Sequence, residues 1–245
     1  MCGRYVSRRG DDEVAGLYGA EVIGEPTRPS WNVAPQQTVR VVLERSPATT
    51  AQQLDADAPP AAAPHRQLRH VRWGLVPAWA KDAKIGNKLI NARSETITEK
   101  PAFKRAAAHR RCLVPADGYY EWEATPDGKQ PYYLHAGEDL LAMAGLYELW
   151  PDPAKDKDAP DRWKWTSTVL TTTATDAAGQ IHERSPLVLP ASMIDDWLDT
   201  NLTDLAKVRD LVAAVPNPTL QPYRVSRKVN SVRNNGPELL EPVDI

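Results

Sequence analysis

The chain has 245 residues, 42% of them hydrophobic and 25% charged, with a formal net charge of −2. A single domain of that length can bury roughly 70–75% of its unfolded surface, and its two cysteines and five scattered histidines give neither a disulfide framework nor zinc spacing. No stretch reaches the roughly 18–20 apolar residues of a membrane helix and no leader pattern opens the chain, so a soluble, cytoplasmic protein without metal or other cofactor is expected.

The chain opens on Met1-Cys2-Gly3-Arg4-Tyr5. Once Met1 is removed, Cys2 carries an α-amine and a thiol on adjacent carbons, titrating when free near about 7.7–8.0 and about 8.5. Such a pair can trap an aldehyde as an imine and close it to a thiazolidine. With Met1 attached the nitrogen is an amide, so this form is expected to be a precursor. Asp11 and Asp12 stand ready to cap a short helix over 13–17. The segment Trp31-Asn32-Val33-Ala34-Pro35 has no regular period and reads as a loop lining a site.

Residues 39–44 are β-branched and short and read as a strand, and residues 69–75 read as another. Between them, the Ala, Pro, Thr, Gln and Asp tract 46–64 has too little apolar character for a core and reads as a disordered insertion. Two further irregular segments follow, Trp73-Gly74-Leu75-Val76-Pro77-Ala78-Trp79 and Asn91-Ala92-Arg93-Ser94-Glu95-Thr96. A helix is predicted over 100–109, with strands over 111–115, 119–123, 132–134, 141–147, 165–172 and 187–189. The proline-rich, charged residues 151–160 read as a surface excursion. Helical spacing of apolar residues recurs over 190–198 and 203–215, with Asp204 at the start of the second. Many short strands and few helices give an α+β class with a β core.

Charge is unevenly placed. Residues 65–111 hold twelve Lys or Arg against three acids, a local net of +9 in a chain that is acidic elsewhere. A run of one sign favours a polyanion, and tryptophans interleaved with basic residues are what single-stranded nucleic acid uses for stacking and phosphate contact. Gly118-Tyr119-Tyr120-Glu121-Trp122 sets one carboxylate among three aromatics, where desolvation would raise its pKa and suit it to proton transfer. In Ile181-His182-Glu183-Arg184, an extended backbone would put His182 and Arg184 on one face.

Taken together, these segments and Val229-Asn230-Ser231-Val232-Arg233-Asn234-Asn235 resemble the SOS response-associated peptidase (SRAP) family, whose members sense abasic sites in DNA. The resemblance covers nearly the whole chain and implies one SRAP-type domain over 1–245, with antiparallel sheets, a barrel-like core and a few peripheral helices. It puts the family's catalytic residues on Cys2, Asn91, Glu121 and His182, and implies DNA contacts at Arg4, Asn32, Trp73, Arg93, Trp122 and Arg184. The chain departs from the family's pattern at Trp31, usually tyrosine, and at Ser185, usually methionine.

The implied activity is covalent capture of abasic sites in single-stranded DNA through Cys2, with autoproteolytic release of Met1. A monomer is expected, with replication machinery as a further partner. Two other classes fit some of the residues. One is an amidohydrolase with an N-terminal cysteine nucleophile, and the other a non-covalent single-stranded DNA-binding module.

Overall fold

The computed structural model describes residues 2–45 and 64–243. The expectations for Met1 and for residues 46–63 of the insertion lie outside the described residues. In chain order the elements are β1 (Tyr5–Ser7), α1 (Asp11–Tyr18), β2 (Glu21–Ile23), β3 (Ser30–Val33), β4 (Thr38–Arg45), β5 (His65–Trp73), β6 (Asn91–Arg93), α2 (Lys104–His109) and β7 (Arg111–Ala116). They continue with β8 (Gly118–Thr125), β9 (Gly128–His135), β10 (Leu141–Pro151), β11 (Trp163–Thr173), α3 (Asp176–Ile181), β12 (Arg184–Pro186), α4 (Ile194–Leu198), α5 (Leu205–Ala213) and β13 (Gln221–Arg224).

Two sheets form. The smaller runs β13-β9-β8-β1-β3 and the larger β12-β11-β10-β7-β4-β5-β2. A parallel pairing of β11 with β5, Thr166 opposite Arg72 and Ser167 opposite Trp73, closes the larger sheet into a barrel of β11, β10, β7, β4 and β5. Most pairings are antiparallel as expected, but β2–β5 and β6–β11 are also parallel. The barrel interior is apolar, with Val39, Val41, Leu43, Val71, Trp73, Cys112, Val114, Met143 and Val169 in one cluster. The same cluster takes in Cys2, Tyr5, Tyr119 and Leu134 from the smaller sheet. One end of the barrel is therefore sealed by the N-terminal strand.

Two glycines make this sealed end possible. Gly74 has φ +131, and a Cβ there would meet the Gly86 carbonyl oxygen at 2.6 Å; a Cβ at Gly86 would meet the Gly74 carbonyl oxygen at 2.5 Å. The crossing lets residues 74–89 fold back on themselves, with Leu75 N–H donating to Leu89 O at 3.1 Å. Asn91 then emerges beside β11, opposite Val169.

The helices cover the other side. α2, α4 and α5 contribute Ala106, Ala107, Trp197, Leu198, Val208 and Val212 to a second cluster. Asp204 caps α5 as expected, accepting from Ala206 N–H at 2.8 Å. The caps expected for α1 do not form. Its N-cap is Gly10, while Asp11 turns inward to ion-pair with Arg40 and to reach His70 at 2.8 Å. Residues 187–189 are not a named strand, but they run along β10, with Leu189 N–H donating to Ala142 O at 2.9 Å. Their bonding is split between β10 and β11, which breaks the ladder. Among the described residues no helix is long and apolar enough to cross a membrane.

Part of the basic run is internal. Arg111 is 5% exposed, and its guanidinium donates to the carbonyls of Trp197, Ala107, Ala108 and Asp199. It ties the ends of α2 and α4 to β7, and burial lowers its pKa to about 10.

Candidate active site

β1 is held between β3 and β8, with Tyr5 opposite both Val33 and Tyr119. Tyr120 N–H extends that ladder by donating to Arg4 O at 2.9 Å. This register carries Cys2 into the sealed end of the barrel, where it is fully buried. Asn91, at the start of β6, donates from Nδ2 to Cys2 O at 2.7 Å. The Asn91 Oδ1 is buried with no hydrogen-bond partner among the described residues. An acceptor left that way costs about 1–3 kcal/mol.

Glu121, on β8, is 5% exposed, and its Oε1 accepts from Trp122 N–H at 3.3 Å. Burial, with the nearby Glu121 charge adding to it, pushes the Cys2 thiol up to about 12. The thiol is therefore protonated at neutral pH, unlike the partly ionised free aminothiol. Glu121 also lines an open cleft of about 510 Å³ with Arg4, Trp122, Lys129, His182 and Asn230. A larger concavity of about 620 Å³, between Leu17, Tyr18 and Ile194, contains none of the expected catalytic residues. Chemistry rather than volume locates the site.

His182 follows the last turn of α3 with extended backbone. Its Nδ1 accepts from Arg184 N–H at 3.0 Å, so the neutral ring carries its proton on Nε2. The side chain of Arg184 turns away, gripping Glu95 through two nitrogens at 2.6 and 3.0 Å and donating to Thr171 O at 2.5 Å. Those bonds draw the Glu95 carboxyl below its usual range. His182 and Arg184 thus share a backbone bond but their side chains serve different neighbours. Arg93 ends β6 as an exposed side chain.

Arg4 donates to Asn32 Oδ1 at 2.8 Å and Val229 O at 2.9 Å, and lies 5.9 Å from the centroid of Trp122. Burial lowers its pKa. Trp122 donates to Asn230 Oδ1 at 2.8 Å. Two of the residues expected to contact DNA are buried. Asn32 is 2% exposed, and its Nδ2 is spent on the carbonyls of Val229, Ser231 and Asn234. Trp73 is 1% exposed, meets Tyr5 edge-on at 5.3 Å and donates to Ile90 O at 2.8 Å. It braces the turn that delivers Asn91, and its faces are covered. The exposed aromatic of the same segment is Trp79, 61% accessible, a position at which a Trp alone gives no sequence signal for burial or exposure. Lys129 and Asn230 join the cleft through sheet pairing and chain return, which spacing does not reveal.

The profile of the SOS response associated peptidase (SRAP) family matches residues 1–232. The chain belongs to the SRAP family. Among its relatives is the abasic site processing protein YoqW of Bacillus subtilis (strain 168), 34% identical over 246 residues, covering 98% of this chain and 99% of the relative. The abasic site processing protein HMCES of Gallus gallus is 34% identical over 242 residues, covering 89% of this chain and 67% of that protein. A crystal structure of a Bacteroides thetaiotaomicron protein shares the fold, with a TM-score of 0.75 at 22% identity over 99% of this chain and 100% of that one. SRAP membership accounts for the β-rich α+β architecture. Among the described residues, no cluster of three or more His, Cys, Asp or Glu has the arrangement of a metal site.

Proposed function

We propose that this SRAP protein processes abasic sites in DNA, as the names of its relatives state for them, and does so by covalent capture through Cys2. The observation that carries the reading is the assembly around Cys2: Asn91 on its carbonyl, and Glu121 acting on its thiol from the wall of an open cleft that also holds His182.

Hydrolysis of the Met1–Cys2 bond frees the α-amine, with the thiol and Glu121 promoting that cleavage. The amine adds to C1′ of the ring-opened sugar, and the resulting carbinolamine loses water to give an imine. The thiol then adds across the C=N bond, forming the C–S bond while its proton passes through Glu121 to nitrogen. One aldehyde and one aminothiol yield one thiazolidine and one water. Burial raises the thiol pKa in the chain that carries Met1, so closure is served by a proton acceptor held beside the thiol, the part assigned to Glu121.

Asn91 Oδ1 accepts from the freed amine or from a sugar hydroxyl. His182, with its proton on Nε2, assists sugar-ring opening. Arg4, Arg93 and Lys129 meet phosphates and Trp122 offers aromatic surface to an unstacked base, while Asn32 holds Arg4, Trp73 braces the turn that carries Asn91, and the Arg184 backbone N–H fixes the His182 ring. The phosphate contacts make capture salt-sensitive. Incubating the processed protein with single-stranded abasic DNA, with a duplex as control, should give an adduct that survives denaturation. The same adduct from Cys2→Ala protein would sink the proposal.

A further inference from the structure

The barrel has a second mouth, at the end away from Cys2. Trp73 on β5 and Val169 on β11 belong to the Cys2 end, since Trp73 touches Tyr5 and Val169 pairs with Asn91. Four residues back along the same strands, about 13 Å away at the usual strand rise, lie Arg69 and Trp165. Here Trp165 stacks on Tyr147 with ring centroids 5.6 Å apart. Two guanidiniums, Arg45 at 5.3 Å and Arg69 at 4.6 Å, converge on its indole. Arg45, Arg110, His109 and Tyr147 line a cavity of about 300 Å³ at this mouth, together with Glu44, Leu149 and Thr200.

The acids nearby are largely committed. Glu148 pairs with Arg110, and Glu44 with Arg66 at 3.4 Å. Among the described residues neither Arg45 nor Arg69 has an ion pair with a carboxylate; Arg69 donates instead to the neutral Gln67 Oε1 at 2.6 Å. Burial and then the like charge of Arg45 lower the Arg69 pKa, with Tyr147 and Glu21 opposing. Two half-buried cations against one ring, with no carboxylate ion pair among the described residues, are unfavourable on their own, and an anion entering the cavity would relieve them.

We propose that this mouth is a binding site for a phosphate group carried by a nucleotide-sized ligand or by the end of a DNA strand. Guanidinium forks suit phosphate oxygens, several cations suit a multiply charged anion, and the volume is at the small end for ligand pockets. The site lies outside the Cys2 cleft and does not depend on its chemistry.

The test is calorimetric titration of the full-length protein with inorganic triphosphate. One equivalent should bind per chain, and Arg45→Gln should weaken binding at least tenfold while leaving adduct formation at Cys2 unchanged. Arg45→Met, which retains packing on Trp165, guards against loss of fold and should show the same weakening with an unchanged thermal midpoint. A deoxynucleoside triphosphate and a 5′-phosphorylated oligonucleotide, compared with its 5′-hydroxyl form, then distinguish the two sources of phosphate, and selective binding of either upholds the site. Absence of binding at millimolar triphosphate would overturn the proposal, as would binding abolished by Arg4→Gln but untouched by both Arg45 variants.

Discussion

Asn32→Ala should cost far more than a loop asparagine normally does, because its carboxamide joins the two ends of the chain at the active site. Its Nδ2 donates to Val229 O at 3.3 Å, Ser231 O at 3.0 Å and Asn234 O at 2.8 Å, while Oδ1 accepts from Arg4 at 2.8 Å. A neutral hydrogen bond contributes about 1 kcal/mol net and one to a charged group about 1.5–3 kcal/mol. The two amide hydrogens are shared among three carbonyls, so the total loss is about 3–5 kcal/mol. For a chain of this size that corresponds to roughly 6–20 °C in thermal midpoint, measurable by calorimetry or urea denaturation. The residue also fixes Arg4 beside Trp122, so the folded fraction should form the adduct more slowly, with a weaker dependence on salt. Asn32→Asp keeps the acceptor for Arg4 but sets a carboxylate against three carbonyl oxygens, and should be no more stable than the alanine variant. A loss below about 1 kcal/mol for Asn32→Ala would refute the claim that these bonds hold the C-terminal segment against β3.

Three other outcomes follow from the same geometry. Glu121→Gln should slow thiazolidine closure by about 10²–10⁴-fold, read from quenched time courses with pre-processed protein, and should make the Cys2 thiol more acidic because the neighbouring anion is gone; an unchanged rate would remove Glu121 from proton transfer. Trp73→Ala and Trp79→Ala should separate cleanly: the first loses about 3–5 kcal/mol of stability, whereas the second changes stability by less than about 0.5 kcal/mol, both read from urea denaturation. Burial pushes the Asp11 carboxyl up, but the Arg40 bond and charge, Thr27 and His70 outweigh it and hold its pKa below the usual value. The unfolded chain therefore binds the proton more readily. Its contribution is complete above the unfolded value of about 3.9 and is lost as pH falls through the lower folded value, so Asp11→Asn should flatten stability against pH below about 4.

The sequence by itself determined the family, the fold class and most of the strands. Cys2 is distinctive because loss of Met1 would make it an aminothiol, and β4, β7, β10 and β11 announce themselves through short apolar, β-branched or aromatic runs between turn residues. Many short strands and few helices carried the α+β class, and the family motifs, read in order, carried the family. Short pieces such as β2, β3 and β6 escaped because three or four residues have no measurable period, and their pairing is set by partners far away in the chain. Only the tertiary structure decided which tryptophan is a floor and which is exposed. It also decided which arginines of the basic run are spent on carbonyls or carboxylates, as Arg111 and Arg66 are, and which face a cavity. Composition counts charges, but a charge acquires its role from the groups folding places within a few ångströms of it. The Cys2 thiol makes the same point: alone it would ionise near about 8.5, and the closed end of the barrel with the Glu121 carboxylate raises it to about 12.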